Sequence, residues 1–250
     1  MIKKAFKKLF FGRKAYQSFF RKLFFVSLEG MNIGTGGRGL KETGEIFTVH
    51  YVLANCVEPV VFDIGAQGGH YLAEVISATN GKGRIYAFEP CLRDFEPLVK
   101  EFGKRATLIN KALGDYDGVG KLYYPEKVRG VSSLYPGTQK LVKSEDVTVQ
   151  TIDSFCLEQN IKQITFLKLD VEGNGLACLK GAKTMLPNIK SIQFEMSVSN
   201  RDSKTYFRDI FDTLHEYNVY RILKDGLFQI NGPDKMNEIL YTTNFLAVRK

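Results

Sequence analysis

Short apolar runs of strand character alternate with amphipathic helical stretches from residue 59 onward. The alternation predicts an α/β fold, a mostly parallel sheet covered by helices on both faces. Two further observations support it. The strand candidates are apolar nearly throughout, as strands buried on both faces must be. The first of them ends in an acid followed by a glycine-rich turn and a helix start, the place where open α/β sheets bind ligands. At 250 residues the chain can bury one large core, and no composition break after residue 28 demands a second domain. The organisation read from the sequence is therefore a segment 1–28 and a domain 29–250.

Residues 1–28 carry Lys3, Lys4, Lys7, Lys8, Arg13, Lys14, Arg21 and Lys22 and no acid. The whole chain has 35 Lys and Arg against 27 Asp and Glu, a net charge of +8. Beyond residue 28 the balance is therefore 27 bases to 27 acids. The positive charge belongs to the N-terminal segment, which argues against a nucleic-acid groove across the domain. Phe6, Leu9, Phe10, Tyr16, Phe19, Phe20, Leu23 and Phe24 recur mostly at three- and four-residue steps and form a helical stripe. Two readings fit: a helix lying on an anionic membrane surface, or a helix packed on the domain with its lysines solvated. No stretch has the continuous apolar core and small-residue cleavage site of a secretory signal. None approaches the roughly 20 apolar residues that span a bilayer.

A glycine-rich loop, 30–39, follows, and a helix is expected over 45–55. Strands are expected at 59–63, 84–88, 106–109, 164–170, 190–195, 218–223 and 241–248, with helices at 69–79, 93–104, 153–160, 175–186 and 203–217. Residues 111–150 break the rhythm: a hairpin strand at 119–124, then a Pro/Gly/Ser-rich loop from Pro125 to Asp146. Loops of that length in compact domains are usually functional or mobile. This one carries Lys127, Arg129, Lys140 and Lys143 with Ser132, Ser133 and Tyr135. It can close over an acceptor bearing phosphate or uronate groups, or simply be solvated. Cys56, Cys91, Cys156 and Cys178 show no CxxC spacing and read as reduced thiols in a reducing, cytoplasmic compartment.

The turn after the first strand reads Asp63-Ile-Gly65-Ala-Gln67-Gly-Gly69. A dinucleotide fingerprint from Gly65 needs glycine at 67 and 70, where Gln67 and His70 stand, and no phosphate-loop G-K-[ST] follows. The second strand ends in Glu89, 24 residues after Gly65, where a carboxylate can accept both ribose hydroxyl hydrogens. An acid, a glycine turn and a second acid without a pyrophosphate cradle favour an adenosyl ligand, S-adenosyl-L-methionine.

These motifs, taken in order, resemble the FkbM family of S-adenosylmethionine-dependent methyltransferases. The pieces are Phe62-Asp-Ile-Gly-Ala-Gln-Gly-Gly69, Ala87-Phe-Glu-Pro90, Asn110-Lys-Ala-Leu-Gly-Asp115, Thr151-Ile-Asp-Ser-Phe155, Leu167-Lys-Leu-Asp-Val-Glu-Gly173 and Phe194-Glu195. Gly30-Met-Asn-Ile-Gly34 and Thr43-Gly-Glu45 resemble a leader of members that modify surface glycans. The resemblance implies a three-layer Rossmann-like class I methyltransferase fold, a seven-stranded sheet with its last strand antiparallel. It implies that Asp63, Gly65 and Gly69 hold the methionine end of the cofactor, that Glu89 takes the ribose, and that Asn110 and Ala112 lie beside the adenine. Gln67 stands where the family usually has Asn. Asp170, at the end of the fourth strand, joins this cofactor set.

Methyl transfer from a sulfonium requires an aligned acceptor and the removal of one proton. Asp170 and Glu172 share a side-chain direction if their strand continues, and they are the leading base candidates, with Glu195 next. His70 is the only histidine in a motif. It is a base candidate or a helix-start side chain bonded to backbone. Asp153 is expected as a helix N-cap. Asp170, Glu172 and Glu195 are able to hold Mg²⁺, but no His cluster accompanies them and no metal is predicted. No Asn-Pro-Pro-aromatic tetrad of N-methyltransferases follows the fourth strand, which favours an oxygen acceptor. The reading is an O-methyltransferase acting on a sugar hydroxyl of a glycan or glycolipid, cytoplasmic and peripheral on the inner face of a membrane. The alternatives are a catalytically inactive adenosyl-binding module tethered to a membrane and, less well supported, a nicotinamide oxidoreductase.

Overall fold

The computed structural model describes residues 7, 9–137 and 142–250; Lys3, Lys4, Phe6, Lys8 and Lys140 lie outside the described residues. Strands β1 (Val60–Ile64), β2 (Arg84–Phe88), β3 (Thr107–Ile109), β7 (Ile164–Leu169), β8 (Ile189–Met196), β9 (Tyr217–Leu223), β10 (Gly226–Ile230) and β11 (Thr243–Arg249) form one sheet in the order β10-β9-β11-β8-β7-β1-β2-β3. The pairs β3–β2, β2–β1, β1–β7 and β7–β8 are parallel, and β11 runs antiparallel to both β8 and β9. The last strand is therefore antiparallel as expected. The sheet has eight strands rather than seven, because a hairpin after β9 adds β10 at the edge.

The apolar strands are explained by what covers them. Every residue of β1 and β7 is buried. Helices α2 (Glu45–Leu53), α3 (His70–Ala78) and α4 (Leu92–Phe102) bring Val49, Leu72, Val75, Leu98 and Phe102 against one face. Helices α5 (Ile152–Glu158), α6 (Gly175–Lys180) and α7 (Phe207–Thr213) bring Phe155, Leu179, Phe207 and Ile210 against the other. Phe155 meets Phe62, Tyr86 and Phe88 edge-on, with centroids 5.6, 5.5 and 4.9 Å away, an arrangement that aromatic rings favour. The chain runs outward from β1 through β2 to β3, then returns to the other side of β1 for β7 and β8. That reversal opens a crevice at the carboxyl ends of β1 and β7.

Several boundaries differ from expectation, each for a local reason. Residues 111–150 contain a second, three-stranded sheet, β4 (Ala112–Gly114), β6 (Lys143–Thr151) and β5 (Gly118–Tyr124), so strand begins inside the expected loop. The expected helix 175–186 stops at Lys180. Asp153 accepts hydrogen bonds from the Thr184 and Met185 amides at 2.9 and 2.8 Å and holds a turn there. Asp153 is accordingly not the N-cap of α5; Thr151 is, accepting from Ser154 N at 3.1 Å. The expected helix 203–217 narrows to α7, whose first amides, at Phe207 and Arg208, donate to Glu238. In the N-terminal segment the stripe is broken at Gly12, which adopts a left-handed φ of 72°. The main helix there, α1, spans Gln17–Gly30.

Candidate active site

Gly65 follows β1 in a left-handed conformation, φ 81°. A Cβ there would collide with the carbonyl oxygen of Asp170, so glycine lets the turns after β1 and β7 touch. The amides of Gly65 and Ala66 both donate to Phe88 O at 3.0 Å, which ties the turn to the end of β2. Gly69 caps α3 with φ 77°, and its face turns toward Leu98 and Phe102 of α4. Packing against α4 accounts for this glycine, and it lines neither pocket described below.

Glu89 is buried at the end of β2. One carboxylate oxygen accepts from Gln67 N at 3.0 Å, the other from Cys91 N at 2.9 Å. Burial pushes its pKa up to about 7 against those two bonds. Asn110 donates to the carbonyls of Glu89 and Pro90, both at 2.9 Å; it braces the turn that carries Glu89 and is itself exposed. Gln67 holds a φ of 48°, and its side-chain amide faces Gly130 of the β5–β6 loop. A narrow pocket of about 40 Å³ lies here, lined by Gly65, Gln67, Glu89, Ala112, Asp170 and, from the overlying loop, Ser133.

A second, wide cavity of about 780 Å³ shares Gly65, Gln67 and Asp170 with the first. Glu45, His70, Lys168 and Glu195 also line it. At its floor Lys168 sits 3.1 Å from Asp63, its register partner on β1, and 3.5 Å from Asp170; it also donates to Gly65 O at 3.0 Å. Burial alone would lower the Lys168 ammonium, but Asp63, Asp170 and Glu45 together hold it above its ordinary value. Burial pushes the Asp63 carboxyl up, and Lys168 pulls the other way. Removing one partner of such a buried pair costs roughly 3–5 kcal/mol. The other oxygen of Asp63 is buried with no hydrogen-bond partner.

Glu45 accepts from Thr43 Oγ1 at 2.6 Å and from Gln193 Nε2 at 3.2 Å, and Gln193 in turn accepts from the Tyr71 hydroxyl at 2.7 Å. Burial and the charge of Asp170 push Glu45 up. Glu195, half-buried on β8, is raised well above the ordinary carboxyl value by burial and by the Asp170, Glu172 and Glu45 carboxylates.

Glu172 departs from its expected place. β7 ends at Leu169, and Glu172 lies in the following turn with φ 45°. Its side chain therefore does not run alongside that of Asp170. It accepts from Ser199 Oγ at 2.6 Å and lines a separate small pocket with Val131 and Tyr135. His70 is exposed at the start of α3, on the rim of the wide cavity. The structure thus brings Gly65, Gln67, Glu89, Ala112, Asp170 and Glu195 around two adjoining pockets over a buried Asp63. It leaves Glu172, Gly69 and Asn110 beside them. Among the described residues no group of three or more His, Cys, Asp or Glu side chains is arranged to hold a metal ion.

Lys168 and Glu45 were not anticipated. A lysine inside an apolar strand, two residues before Asp170, is the signal for the first; Glu45 has none beyond its place in the leader.

Three features fit an adenosyl ligand: a buried acid, Glu89, in the lining of the narrow pocket, a glycine turn that admits close approach, and an unpartnered buried oxygen on Asp63. Residues 63–222 match the model of the Methyltransferase FkbM domain. Solved structures similar to the chain include a methyltransferase FkbM from Methylobacillus flagellatus KT, 20% identical with a TM-score of 0.44 over 76% of this chain and 43% of that one. The chain thus spans less than half the length of that protein. A putative O-methyltransferase from Klebsiella pneumoniae is 9% identical, with a TM-score of 0.47 over 82% of this chain and 80% of that one. A magnesium protoporphyrin IX methyltransferase from Synechocystis PCC 6803, solved with bound SAM, is 12% identical, with a TM-score of 0.42 over 83% of this chain and 80% of that one. No curated protein matches the sequence.

Proposed function

Because the chain belongs to the FkbM family of S-adenosylmethionine-dependent methyltransferases, we propose that it methylates a hydroxyl oxygen of a sugar on a glycan or glycolipid. The observation that carries this reading is the lining of the wide cavity, where three acids, Glu45, Asp170 and Glu195, lie beside the glycine turn. A carboxyl group accepts hydrogen bonds when ionised and donates one when protonated, the form that burial favours at Glu45 and Glu195; both suit an acceptor made of hydroxyl groups.

When bound, S-adenosylmethionine supplies an electrophilic methyl group on a sulfonium. The chain's own residues do the rest. Glu89 takes the ribose hydroxyls, with Gln67 N and Cys91 N fixing its carboxylate. Asn110 holds that turn, Ala112 offers a small apolar wall beside the base, and Gly65 with Asp63 and Gly69 shapes the turn at the methionine end. Asp170, shared by both pockets, takes the proton of the acceptor hydroxyl, and Glu195 holds that hydroxyl by a hydrogen bond. Glu172 and His70 stand farther back, the first held by Ser199 and the second at the rim. The four free thiols suit a reducing, cytoplasmic setting.

A methyl-transfer assay across glycans, lipid-linked sugars and small hydroxyl compounds tests the reading. Turnover is expected, with Glu195→Gln or Asp170→Asn lowering kcat by about 10²–10⁴. Glu195→Gln should leave affinity for S-adenosylhomocysteine unchanged. Absence of turnover across the panel, with the adenosyl ligand still bound, would replace the enzyme by an adenosyl-binding module.

A further inference from the structure

Among the described residues, helix α1 meets the domain through one face. Leu28 is buried, and Phe25 meets the Tyr241 ring edge-on with centroids 6.1 Å apart. One or two turns away on the opposite face, Phe19, Leu23 and Val26 are 60, 49 and 64% exposed. Their spacing of four and three residues keeps them on one stripe. Lys22 flanks it on the helical wheel, and no acid occurs before Glu29. Three large apolar side chains in a row on a helix otherwise docked is a patch that needs an occupant.

We propose that this stripe docks α1 in the interface of an anionic lipid bilayer. Charge decides between lipid and a second copy of the chain. Another copy would bring its own acid-free, eight-cation segment against this one, whereas anionic headgroups attract it. The helix is also joined to the mouth of the wide cavity. Glu29 pairs with Arg38 at 2.8 Å, and Arg38 and Lys41 line that cavity. The Gly34 amide donates to Thr242 O at 2.8 Å and fixes the intervening turn. A membrane-docked α1 therefore holds the cavity rim at the lipid surface. If the methyl-transfer reading holds, its acceptor is lipid-borne, a glycolipid or lipid-linked sugar rather than a free saccharide; the docking itself does not depend on that reading.

Co-sedimentation of the full chain with vesicles tests the docking. Binding is expected to vesicles of phosphatidylcholine with phosphatidylglycerol, weaker to phosphatidylcholine alone, and weaker as salt rises. The variant Phe19→Asp/Leu23→Asp/Val26→Asp should lower the partition coefficient by about a hundredfold. Lys14→Glu/Lys22→Glu should lower it by about thirtyfold. Both variants should keep the wild-type melting temperature, since none of the five side chains is buried. Failure to bind anionic vesicles, or binding that survives the triple variant, overturns the proposal. So does a dimer that the triple variant dissociates. Absence of methyl transfer with vesicle binding intact would remove only the lipid-borne acceptor.

Discussion

Glu89 is the residue whose charge state the site depends on most directly. Its pKa stands near 7 because burial outweighs the two amides that bond it. The consequences have opposite signs with and without ligand. In the free protein folding favours the protonated carboxyl. That contribution is fully present below the ordinary value of 4.5, is lost as pH rises through about 7, and amounts to about 3 kcal/mol. Ribose hydroxyls need the ionised form as acceptor. Binding of S-adenosylhomocysteine should therefore weaken by about tenfold per pH unit below 7 and level off above it. Calorimetric titration between pH 5.5 and 8.5 checks this. Glu89→Gln should bind more weakly and lose the slope, and a slope that survives the substitution would assign the proton elsewhere. Asp63, Gly65 and Glu89 were legible in the sequence because a strand, a glycine turn and a helix start leave few places for their backbone to go. Lys168 was not, since an apolar strand conceals which of its residues faces a buried acid on the neighbouring strand, about a hundred residues earlier in the chain. Glu172 looked equivalent to Asp170 only while the strand was assumed to continue past Leu169.

At the scale of elements, the β5–β6 hairpin lines the narrow pocket with Leu122, Ser132, Ser133 and Leu134. Arg93 on α4 anchors its loop, donating to Pro125 O at 3.1 Å, Glu126 O at 3.3 Å and Val128 O at 2.9 Å while lying 5.0 Å from the Tyr124 ring. The loop then folds back so that Ser133 exchanges backbone bonds with Tyr123 at 2.9 and 2.8 Å and its hydroxyl reaches Glu172 O at 2.9 Å. Arg93→Ala removes three carbonyl partners and a cation–π contact in one step. Faster amide exchange is expected at residues 130–135, with none at β1, because local opening follows local contacts. Exchange that accelerates equally in β1 would mean that Arg93 supports the whole domain instead. The broken rhythm of residues 111–150 was visible in the sequence, but the small sheet was not. β4 has only three residues, and β6 begins Lys-Ser-Glu-Asp, which has no apolar alternation to read. The edge hairpin had a signal in Asp225-Gly226, yet β10 leaves most of its five residues unburied.

The whole molecule combines a sheet that many chemistries share with a site that narrows them. Topology alone permits nucleotide, dinucleotide or adenosyl ligands at the β1–β7 crevice. What separates these is local: Gln67 and His70 stand where a dinucleotide fingerprint needs glycine, and Glu89 accepts from the Gln67 amide of the glycine turn at 3.0 Å. Ligand-linked stability reads that difference across the entire fold, because the two pockets join β1, β2, β7 and β8 with the overlying hairpin. S-adenosylhomocysteine at 100 times its dissociation constant should stabilise the native state by about 2.7 kcal/mol. For a domain of this size that raises Tm by roughly 5–10 °C. NADH at the same concentration should leave Tm unchanged, since the turn at Gly65 lacks the dinucleotide glycine fingerprint. A rise with NADH and none with the adenosyl ligand would reassign the crevice, and with it the roles of Asp63, Gly65 and Glu89. A rise with the adenosyl ligand that Gly65→Ala abolishes would tie the effect to the one position where a Cβ and the Asp170 carbonyl cannot coexist.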